Sequence, residues 1–394
     1  MKPQDLVTLR WKLLCFSPKT FCLTERESDA WAYLLRRTVP KQPRSPRRVA
    51  SLGTATVPSS PVPAFCRTLL PLVEQGKILE KTEACSQIAF TRYVRSGRKP
   101  GPDPQLSMRD ARFGRVPGRV YRPRAPSAGL RAGAIFCHGG GWLYCSFGRA
   151  GRVHQSVAHL VGTLLLTPEH KYPAAYEDCL NATIHFMKHM ELYGVDPANV
   201  IVCRDSAGGN IAAAVSQTLA GRSDLPKLCA QILIYPGLQA LDFNLPSYQQ
   251  NQGVPLLFRE RAAFYMLQYL NGNASNLEEV LEGSHIPIDI KLNYRKWVSP
   301  DNIPEKFKVR GYKPHVLLDC TTEVYETVKR FCEPNLCPLL AEDALIQQLP
   351  ETFMLTCEYD VLRDDGLLYK KRLEDNGVRV TWGLDSIVKF IKGL

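Results

Sequence analysis

The sequence predicts an α/β protein with a mainly parallel sheet and helices on both faces. Short apolar runs without alternation, such as residues 133–137, are typical of strands that are covered on both faces. A helix pattern directly follows the buried strand that ends at Asp205, as expected where a strand and its crossover helix build a parallel sheet. The chain has 394 residues, 45% of them hydrophobic, which is long enough for one such domain and an extension.

The positive charge of the chain is concentrated in its first third. The formal net charge is +12, and residues 1–130 contain 24 Lys and Arg against 9 Asp and Glu, so residues 131–394 carry −3. Residues 1–70 are basic and rich in Pro, Ser and Arg; we expect a poorly ordered extension there and a folded domain at 71–394. No nucleic-acid-binding module accompanies the basic residues, so no nucleic acid partner is expected. Salt-sensitive binding lost on removal of residues 1–65 would indicate the alternative, a functional basic extension.

Cysteine spacing gives no sign of a metal site, and hydropathy gives no sign of a membrane-spanning segment. The 13 cysteines form no CxxC pair and no Cys/His ladder with zinc spacing, so we expect no metal. No window of 18 apolar residues occurs, so the sequence shows no transmembrane anchor.

The chemistry of the chain centres on the predicted strand-to-helix turn at residues 205–209, Asp-Ser-Ala-Gly-Gly. A serine in such a turn has its hydroxyl pushed into a cleft, and Gly208 lets the strand and the helix pass close together. The first helical amides, including that of Ala207, would face a developing oxyanion. Arg204 stands two residues before Ser206, where this kind of turn usually requires glycine.

A second glycine-rich turn lies upstream and consists of His138, Gly139, Gly140, Gly141 and Trp142. Consecutive glycines remove the side chains from a bend, so that backbone N–H groups can converge on one point. A flexible surface turn is the alternative interpretation of a lone glycine triplet. Its position after a buried strand and upstream of Ser206 favours an oxyanion hole.

A carboxylate follows a third predicted strand, at residues 352–357. Asp360 lies just beyond the end of this strand, where open parallel sheets place functional groups. Residues 363–376 then predict a helix with Asp364 and Asp365 in its first turn. We interpret those two aspartates as capping and helix-dipole residues, which leaves Asp360 as the candidate functional acid.

Four motifs in this order resemble the hormone-sensitive-lipase-like branch of the α/β hydrolases, and within it the arylacetamide deacetylase-like proteins. They are HGGGW at 138–142, PEHKYPAAYED at 168–178, DSAGGN at 205–210 and YDVLRDDG at 359–366. The resemblance covers about residues 72–382 and implies an α/β-hydrolase fold with an N-terminal cap region. It also implies a serine carboxylic-ester hydrolase without cofactor, whose partner is a small lipophilic acyl or acetyl ester.

The resemblance assigns roles to individual residues. Ser206 matches the nucleophile, and Asp360 matches the acid that orients a catalytic histidine. The oxyanion-hole positions are His138, Gly139, Gly140, Gly141 and Ala207. No histidine follows Asp360 in the sequence, and none of the eight histidines stands at the family position, so the catalytic histidine is unassigned.

Two departures from the family pattern leave two functions open. The missing histidine and Arg204 both affect the chemistry, and loss of one catalytic-triad member typically lowers turnover by several orders of magnitude. The leading hypothesis is an ester hydrolase whose activity is impaired. The alternative is a catalytically inactive pseudoenzyme that binds lipid or a protein partner. We also expect the C-terminus to be truncated or divergent relative to the family.

The resemblance further implies membrane association and a location at the endoplasmic reticulum membrane, although the sequence shows no anchor.

Cys145 and Cys357 flank the same predicted cleft; we expect a disulfide between them if the chain is lumenal, and buried thiols otherwise. The insertion at 240–310 is rich in Phe, Tyr and Leu, and either covers an acyl pocket or is an ordinary packed subdomain.

Overall fold

The computed structural model describes residues 78–83, 85–95, 104, 106–127, 129–137, 139–144, 160–161, 169–254 and 257–383. The chain divides into two compact units, Met1–Lys99 and Pro100–Leu394. The described part of the first unit contains a helical turn at residues 78–81 and helix α1, Gln87–Arg95. The predicted extension and its boundary at residue 70 lie outside the described residues.

An antiparallel pair of strands begins the second unit. Strand β1, Leu106–Phe113, pairs along its whole length with β2, Val116–Pro123, across a turn in which Gly114 has a φ of +62°. The sequence of residues 118–123, Gly-Arg-Val-Tyr-Arg-Pro, has the pattern of an edge strand that ends at a proline, and β2 contains these residues. Its partner β1 was not predicted, because only the two terminal residues of that strand are buried and its sequence has no clear alternation.

Six parallel strands of the described chain form the main sheet. They are β3 (Arg131–Phe136), β4 (Leu160–Val161), β5 (Val195–Asp205), β6 (Ala230–Ile234), β7 (Glu351–Leu355) and β8 (Val380–Trp382). Their order across the sheet is β4-β3-β5-β6-β7-β8, and every neighbouring pair is parallel. This arrangement confirms the predicted α/β class.

Helices surround this sheet on both faces. They are α2 (Ala174–Lys188), α3 (Met190–Tyr193), α4 (Ser206–Ala220), α5 (Pro246–Gln250), α6 (Arg259–Asn271), α7 (Leu277–Glu282), α8 (Ile288–Tyr294), α9 (Thr322–Val328), α10 (Asp343–Ile346) and α11 (Arg363–Asp375), with 3-10 turns at Pro300–Asn302, Glu305–Phe307, Lys329–Cys332 and Pro338–Leu340. Within the described chain, no helix is both long enough and apolar enough to cross a bilayer.

Helix α4 is the central helix of the fold. It packs against β5 and β6, and Ala212, Ala213 and Ala214 are completely buried. Small residues let the helix axis lie close to the sheet, and their side chains lose almost no rotamer entropy on burial. The helix that follows the acid, α11, also matches its prediction, since it ends before Asn376 and Gly377 with a φ of +79°.

Asp365 ties α11 to the chain that leaves β6. Its carboxylate accepts hydrogen bonds from the Leu238 N–H at 2.8 Å, the Gln239 side-chain amide at 3.0 Å and the Tyr248 hydroxyl at 3.3 Å. Burial raises the pKa of Asp365 to about 7, although these three donors oppose the shift. Asp365 is therefore a buried hydrogen-bond acceptor, and its contribution to stability depends on each of these three donors.

Asp364 makes a second connection of the same kind. It accepts a hydrogen bond from the Ser247 N–H at 2.6 Å and pairs with Arg363 Nε at 2.8 Å, and both charged side chains are buried. Asp364 and Asp365 do lie at the positive end of the helix dipole, and their role is structural. Apart from the Arg363 pair, however, their hydrogen bonds run to residues that precede α11 by more than 100 positions, rather than capping its own amides.

We expect Asp365→Asn to lower the free energy of unfolding by about 1–3 kcal/mol. The new amide NH2 would face the Leu238 N–H or the Gln239 amide. Gln239 cannot simply flip, because its Oε1 already accepts hydrogen bonds from the Leu241 and Asp242 N–H groups. Urea unfolding measures the change. The matched control is Asp375→Asn at the exposed end of the same helix, where we expect a change of less than about 0.5 kcal/mol. Equal effects of the two changes would contradict the prediction.

Candidate active site

The carboxyl ends of four adjacent strands bring the predicted site segments to one edge of the sheet. The glycine turn follows β3, Ser206 follows β5, Tyr235 follows β6 and Asp360 lies beyond the end of β7. Because these parallel strands are neighbours in this order, the segments lie side by side. Ser206 and Asp360 are therefore separated by the width of one strand, β6.

Ser206 occupies a strained turn between β5 and α4. Its φ is +54°, whereas Asp205 before it is still extended, with φ −104° and ψ 151°. A non-glycine residue in the left-handed region is uncommon and persists only where the surrounding structure enforces it. The serine is partly exposed, while the residues that follow it in α4 are buried. The turn thus presents Ser206 at the carboxyl edge of the sheet.

Gly208 lies where the start of α4 meets the backbone of residues 137–139 and the Arg204 side chain. A Cβ atom on Gly208 would lie 2.1 Å from Arg204 Cγ, 2.8 Å from the Cys137 carbonyl oxygen and 2.8 Å from the Gly139 nitrogen. Contacts this short exclude any side chain larger than hydrogen. The glycine turn and the first turn of α4, which carries Ala207, therefore meet in one junction.

The glycine turn has no room for side chains of its own. A Cβ on Gly139 would lie 2.8 Å from the Asp205 carbonyl oxygen, and one on Gly140 would lie 2.0 Å from the Tyr144 carbonyl oxygen. Gly140 also has a φ of +97°, and its carbonyl accepts the Tyr144 N–H at 3.0 Å. The turn is therefore tightly closed rather than a loose surface loop.

Two tyrosines of helix α6 cover the glycine turn. A Cβ on Gly141 would lie 2.7 Å from the Tyr265 ring, and Trp142 stacks on Tyr269 with ring centroids 4.6 Å apart. The 240–310 insertion that contains α6 also contributes to the main core, where Phe243 is fully buried. It is thus a packed part of the domain that also borders the candidate site. An acyl pocket beneath it stays a prediction.

Arg204 lies folded into the same junction. Its Nε is 2.7 Å from Asp205 Oδ1, an ion pair that is not aligned as a hydrogen bond, and its guanidinium lies 4.0 Å from the centroid of the Phe136 ring. The side chain is only 12% exposed. It finds room because Gly139 and Gly208 have no Cβ atoms, which would approach its Nε and Cγ.

Asp360 is buried and carries a strongly shifted pKa. Burial raises its pKa to about 6, although the Leu362 N–H, which donates to Oδ1 at 3.0 Å, and the charge of Arg363 both oppose the shift. The Asn251 amide donates to the backbone carbonyl of Asp360 at 3.0 Å and so holds the acid loop in place. Burial therefore has more influence on this carboxyl than any neighbouring cation.

Tyr235 is a site residue that the motif analysis missed. It lies between the serine and the acid, has a φ of +35° and is half-buried. Burial raises its pKa well above the ordinary value, and the negative charges of Asp205 and Asp360 add to this effect. Its position at the end of the apolar run 229–236, which has the pattern of a buried strand, was a usable signal. Asn251 gave no such signal, because it comes from the insertion, far from any motif.

The described histidines contact other parts of the chain, and no histidine contributes to the pKa shift of Asp360 within the described residues. They are His170, His185, His189, His285 and His315. The rings of His185 and His189 are 4.4 Å apart, and the Nε2 atoms of His285 and His315 contact the Ala240 and Glu282 carbonyls. The charge of His170 acts on Asp178.

The remaining predicted site residues are only partly covered by the structure. His138, His154 and His159 lie outside the described residues, and so does Cys145. Cys357 is half-buried, and burial, followed by the charge of Asp360, raises its pKa to about 12. The disulfide therefore stays a prediction. Within the described ranges, no group of His, Cys, Asp and Glu side chains could hold a metal ion.

Comparisons with known proteins agree with this architecture. A family model described as an α/β hydrolase fold matches residues 134–282 and 306–385. Among solved structures, a fungal esterase from Rhizomucor miehei has a TM-score of 0.56 at 21% identity, covering 83% of this chain and 87% of that one. An esterase from Pyrobaculum calidifontis has a TM-score of 0.54 at 24% identity, covering 79% and 87%. At these identities the two structures support the fold alone.

Closer relatives in sequence narrow the family. Human arylacetamide deacetylase-like 4 is 47% identical over 320 residues, which are 79% of this chain and 78% of the relative. Rat arylacetamide deacetylase is 38% identical over 296 residues, which are 72% and 73% of the two chains. The chain therefore belongs to the arylacetamide deacetylase-like family of α/β hydrolases, a family of carboxylic-ester hydrolases.

Proposed function

We propose that this chain hydrolyses lipophilic acyl or acetyl esters with Ser206 as the nucleophile. The observation that carries the proposal is the strained, partly exposed serine at the junction where the glycine turn meets the first turn of α4. Such a junction places a hydroxyl beside two sets of backbone amides. The lipophilic character of the ester and a location at the endoplasmic reticulum membrane are proposed from the family resemblance.

In the proposed reaction, the Ser206 oxygen attacks the ester carbonyl carbon and the alcohol leaves with a proton. The amides of Gly139, Gly140, Gly141 and Ala207 stabilise the oxyanion that forms on the carbonyl oxygen. Water then hydrolyses the acyl-serine and releases the acid. Asp360 would orient an imidazole that accepts the serine proton; a histidine outside the described residues, or water, would have to perform that step.

The second candidate function is a pseudoenzyme that binds lipid or a protein partner without turnover. It is favoured by the environment of Asp360, whose raised pKa indicates a buried carboxyl that lacks a dominant cationic partner among the described residues. A carboxylate beside an imidazolium would have a lowered pKa instead. The two functions share the same cleft and differ only in whether a base completes it.

Replacing Ser206 separates the two functions. If the chain is a hydrolase, Ser206→Ala should lower kcat/KM for a short-chain p-nitrophenyl ester at least about 100-fold, because the nucleophile is lost. Ser216→Ala on the same helix is the matched control, since this serine is buried within α4. Equal rates for the parent chain and Ser206→Ala would contradict the hydrolase proposal. Activity only in a chimera whose residues 383–394 are replaced by a histidine-bearing family segment would support the pseudoenzyme.

We expect Arg204→Gly to raise kcat/KM about tenfold in the parent chain or in the active chimera, because the glycine turn and α4 can then close as they do around an elbow glycine. The loss of its packing on Phe136 should lower the free energy of unfolding by about 1 kcal/mol. Arg204→Met is the control that keeps the stem and removes the charge. If Arg204→Met gains as much activity as Arg204→Gly, the charge rather than the bulk limits turnover, and the prediction is wrong.

The pH dependence of stability tests the environment of Asp360. Its folded pKa of about 6 exceeds the ordinary 3.8, so below the ordinary value the carboxyl is protonated in both states. As the pH rises towards 6, the unfolded chain loses this proton first and the free energy of unfolding falls. Asp360→Asn has no charge to bury, so we expect it to gain up to about 2 kcal/mol over the parent between about pH 4 and pH 7.

Urea unfolding of the parent and Asp360→Asn at several pH values measures this gain, with Asp375→Asn as the exposed control. A gain for Asp360→Asn that grows with pH supports an acid without a cationic partner. The opposite slope would indicate that a cation, such as an imidazolium outside the described residues, pairs with Asp360 in the folded protein.

A further inference from the structure

An irregular segment of the second unit, residues 308–320, exposes a series of large apolar side chains. Val309 and Val316 are 78% and 74% exposed, and Leu317 and Leu318 are 46% and 38% exposed. Residues 312–320 contain no helix or strand. Single exposed apolar residues are ordinary on a protein surface, but four within ten residues form a patch that commonly marks an interaction site.

The backbone of this segment is nevertheless held in place. The Gln249 side chain donates to the Lys313 carbonyl at 2.9 Å and accepts the Lys313 N–H at 3.1 Å. Lys291 Nζ donates to the Leu318 carbonyl at 2.9 Å, and His315 Nε2 lies 2.7 Å from the Glu282 carbonyl. The apolar side chains are therefore presented to solvent by a segment with fixed attachments.

Other exposed residues extend this patch. Arg310 lies 4.4 Å from the centroid of the Tyr359 ring, and Phe307 meets Trp382 edge-on with centroids 6.5 Å apart. Tyr359 and Trp382 are 54% and 40% exposed, and Leu292, beside Lys291, is 50% exposed. We call the whole set the apolar strip; it consists of Leu292, Val309, Val316, Leu317, Leu318, Tyr359 and Trp382.

Basic residues accompany the apolar strip. Residues 291–318 contain seven Lys and Arg against two Asp and Glu, a net charge of +5, while the rest of residues 131–394 carries −8. Both acids are already engaged, since Asp301 pairs with Arg295 and Glu305 pairs with Lys308. Residues 291–318 are thus the most basic stretch that carries exposed apolar side chains in the second half of the chain, although Asp319 follows Leu318 and Glu358 precedes Tyr359.

We propose that the apolar strip and its basic residues form a docking surface for an anionic lipid bilayer. Aliphatic side chains can enter the acyl boundary, Tyr and Trp favour the headgroup level, and Lys and Arg attract anionic headgroups. The strongly exposed Val309 and Val316 project from a turn and from an irregular segment, respectively, rather than from a flat helix or sheet face, which suits a deformable partner. The surface lies beside the acid loop, because Asn251 binds both the Arg310 guanidinium, at 3.2 Å, and the Asp360 carbonyl.

The inference does not rest on catalysis, because binding is measured without an ester substrate. The full chain is sedimented with large vesicles of phosphatidylcholine alone and with vesicles that contain roughly one-third phosphatidylserine. We expect binding to the anionic vesicles that weakens when the salt concentration rises from about 0.1 M to about 0.5 M. Failure of the parent chain to bind anionic vesicles would overturn the proposal.

Charge and apolar variants locate the surface. Lys306→Gln combined with Lys313→Gln should lower the partition coefficient about 25-fold. The same change at Lys188 and Lys227, which precede strands β5 and β6 at the opposite edge of the sheet from the acid loop, should lower it no more than about twofold. Val316→Ser combined with Leu317→Ser should also lower it about tenfold, with Leu192→Ser as the apolar control, since Leu192 is 73% exposed on α3. Circular dichroism and urea unfolding establish that every variant is folded.

Two outcomes would contradict the assignment of lipid binding to the apolar strip. If the strip variants bind vesicles as well as the parent does, lipid binding resides elsewhere, for example in the basic residues before position 70, and the proposal is wrong. If the parent self-associates in light scattering and only the strip variants become monomeric, without a change in vesicle binding, the strip is an interface between two copies of this chain.

Discussion

The close approach of the glycine-turn backbone and the Arg204 side chain to Gly208 is the constraint on which the candidate site depends. The carbonyl of Cys137, the nitrogen of Gly139 and the stem of Arg204 all lie where a side chain at Gly208 would have to be placed. This crowding brings the end of β3 against the start of α4 and keeps Ser206 in a backbone conformation that non-glycine residues rarely adopt. The serine and the glycine turn therefore form one unit, and Arg204 is accommodated only because its neighbours lack side chains.

A second constraint positions the acid. Helix α11 is anchored through Asp364 and Asp365 to the segment that leaves β6, so that the loop carrying Asp360 is fixed by buried hydrogen bonds rather than by its own short sequence. The cost of burying the carboxylates of Asp360 and Asp365 appears in their raised pKa values. In an active hydrolase the positive charge that develops on a histidine offsets such a cost. The described residues provide no such group beside Asp360.

The insertion between β6 and β7 has several roles at once. Its helix α6 places Tyr265 and Tyr269 over the glycine turn, and Asn251 holds the backbone of the acid loop. Farther along the chain, but still between β6 and β7, residues 291–318 contribute much of the exposed apolar strip and its basic residues. The segments that close the cleft and those proposed to meet a bilayer are therefore parts of one packed structure, which links the two proposals geometrically although each is tested separately.

The sequence alone determined the elements whose signals are local. The strand-to-helix turn at Ser206, the glycine turn, and the helix after Asp360 with its Asn376-Gly377 end depend on residues within one or two turns of each other. Their order along the chain and the rule that parallel strands share a carboxyl edge were enough to place the serine and the acid near each other. Family resemblance added their roles, which local patterns could not supply.

Only the tertiary structure decided the partners of the polar side chains. Asp365 and Gln239 are 126 residues apart in sequence, so nothing near either residue predicts their hydrogen bond. The same holds for the placement of Arg204 over Phe136 and for the pairing of the sparsely buried strand β1. It holds also for Val309 and Val316, whose exposure depends on distant segments that anchor the backbone but leave these side chains uncovered. Burial and pairing are properties of the assembled chain, because they depend on contacts between residues far apart in sequence.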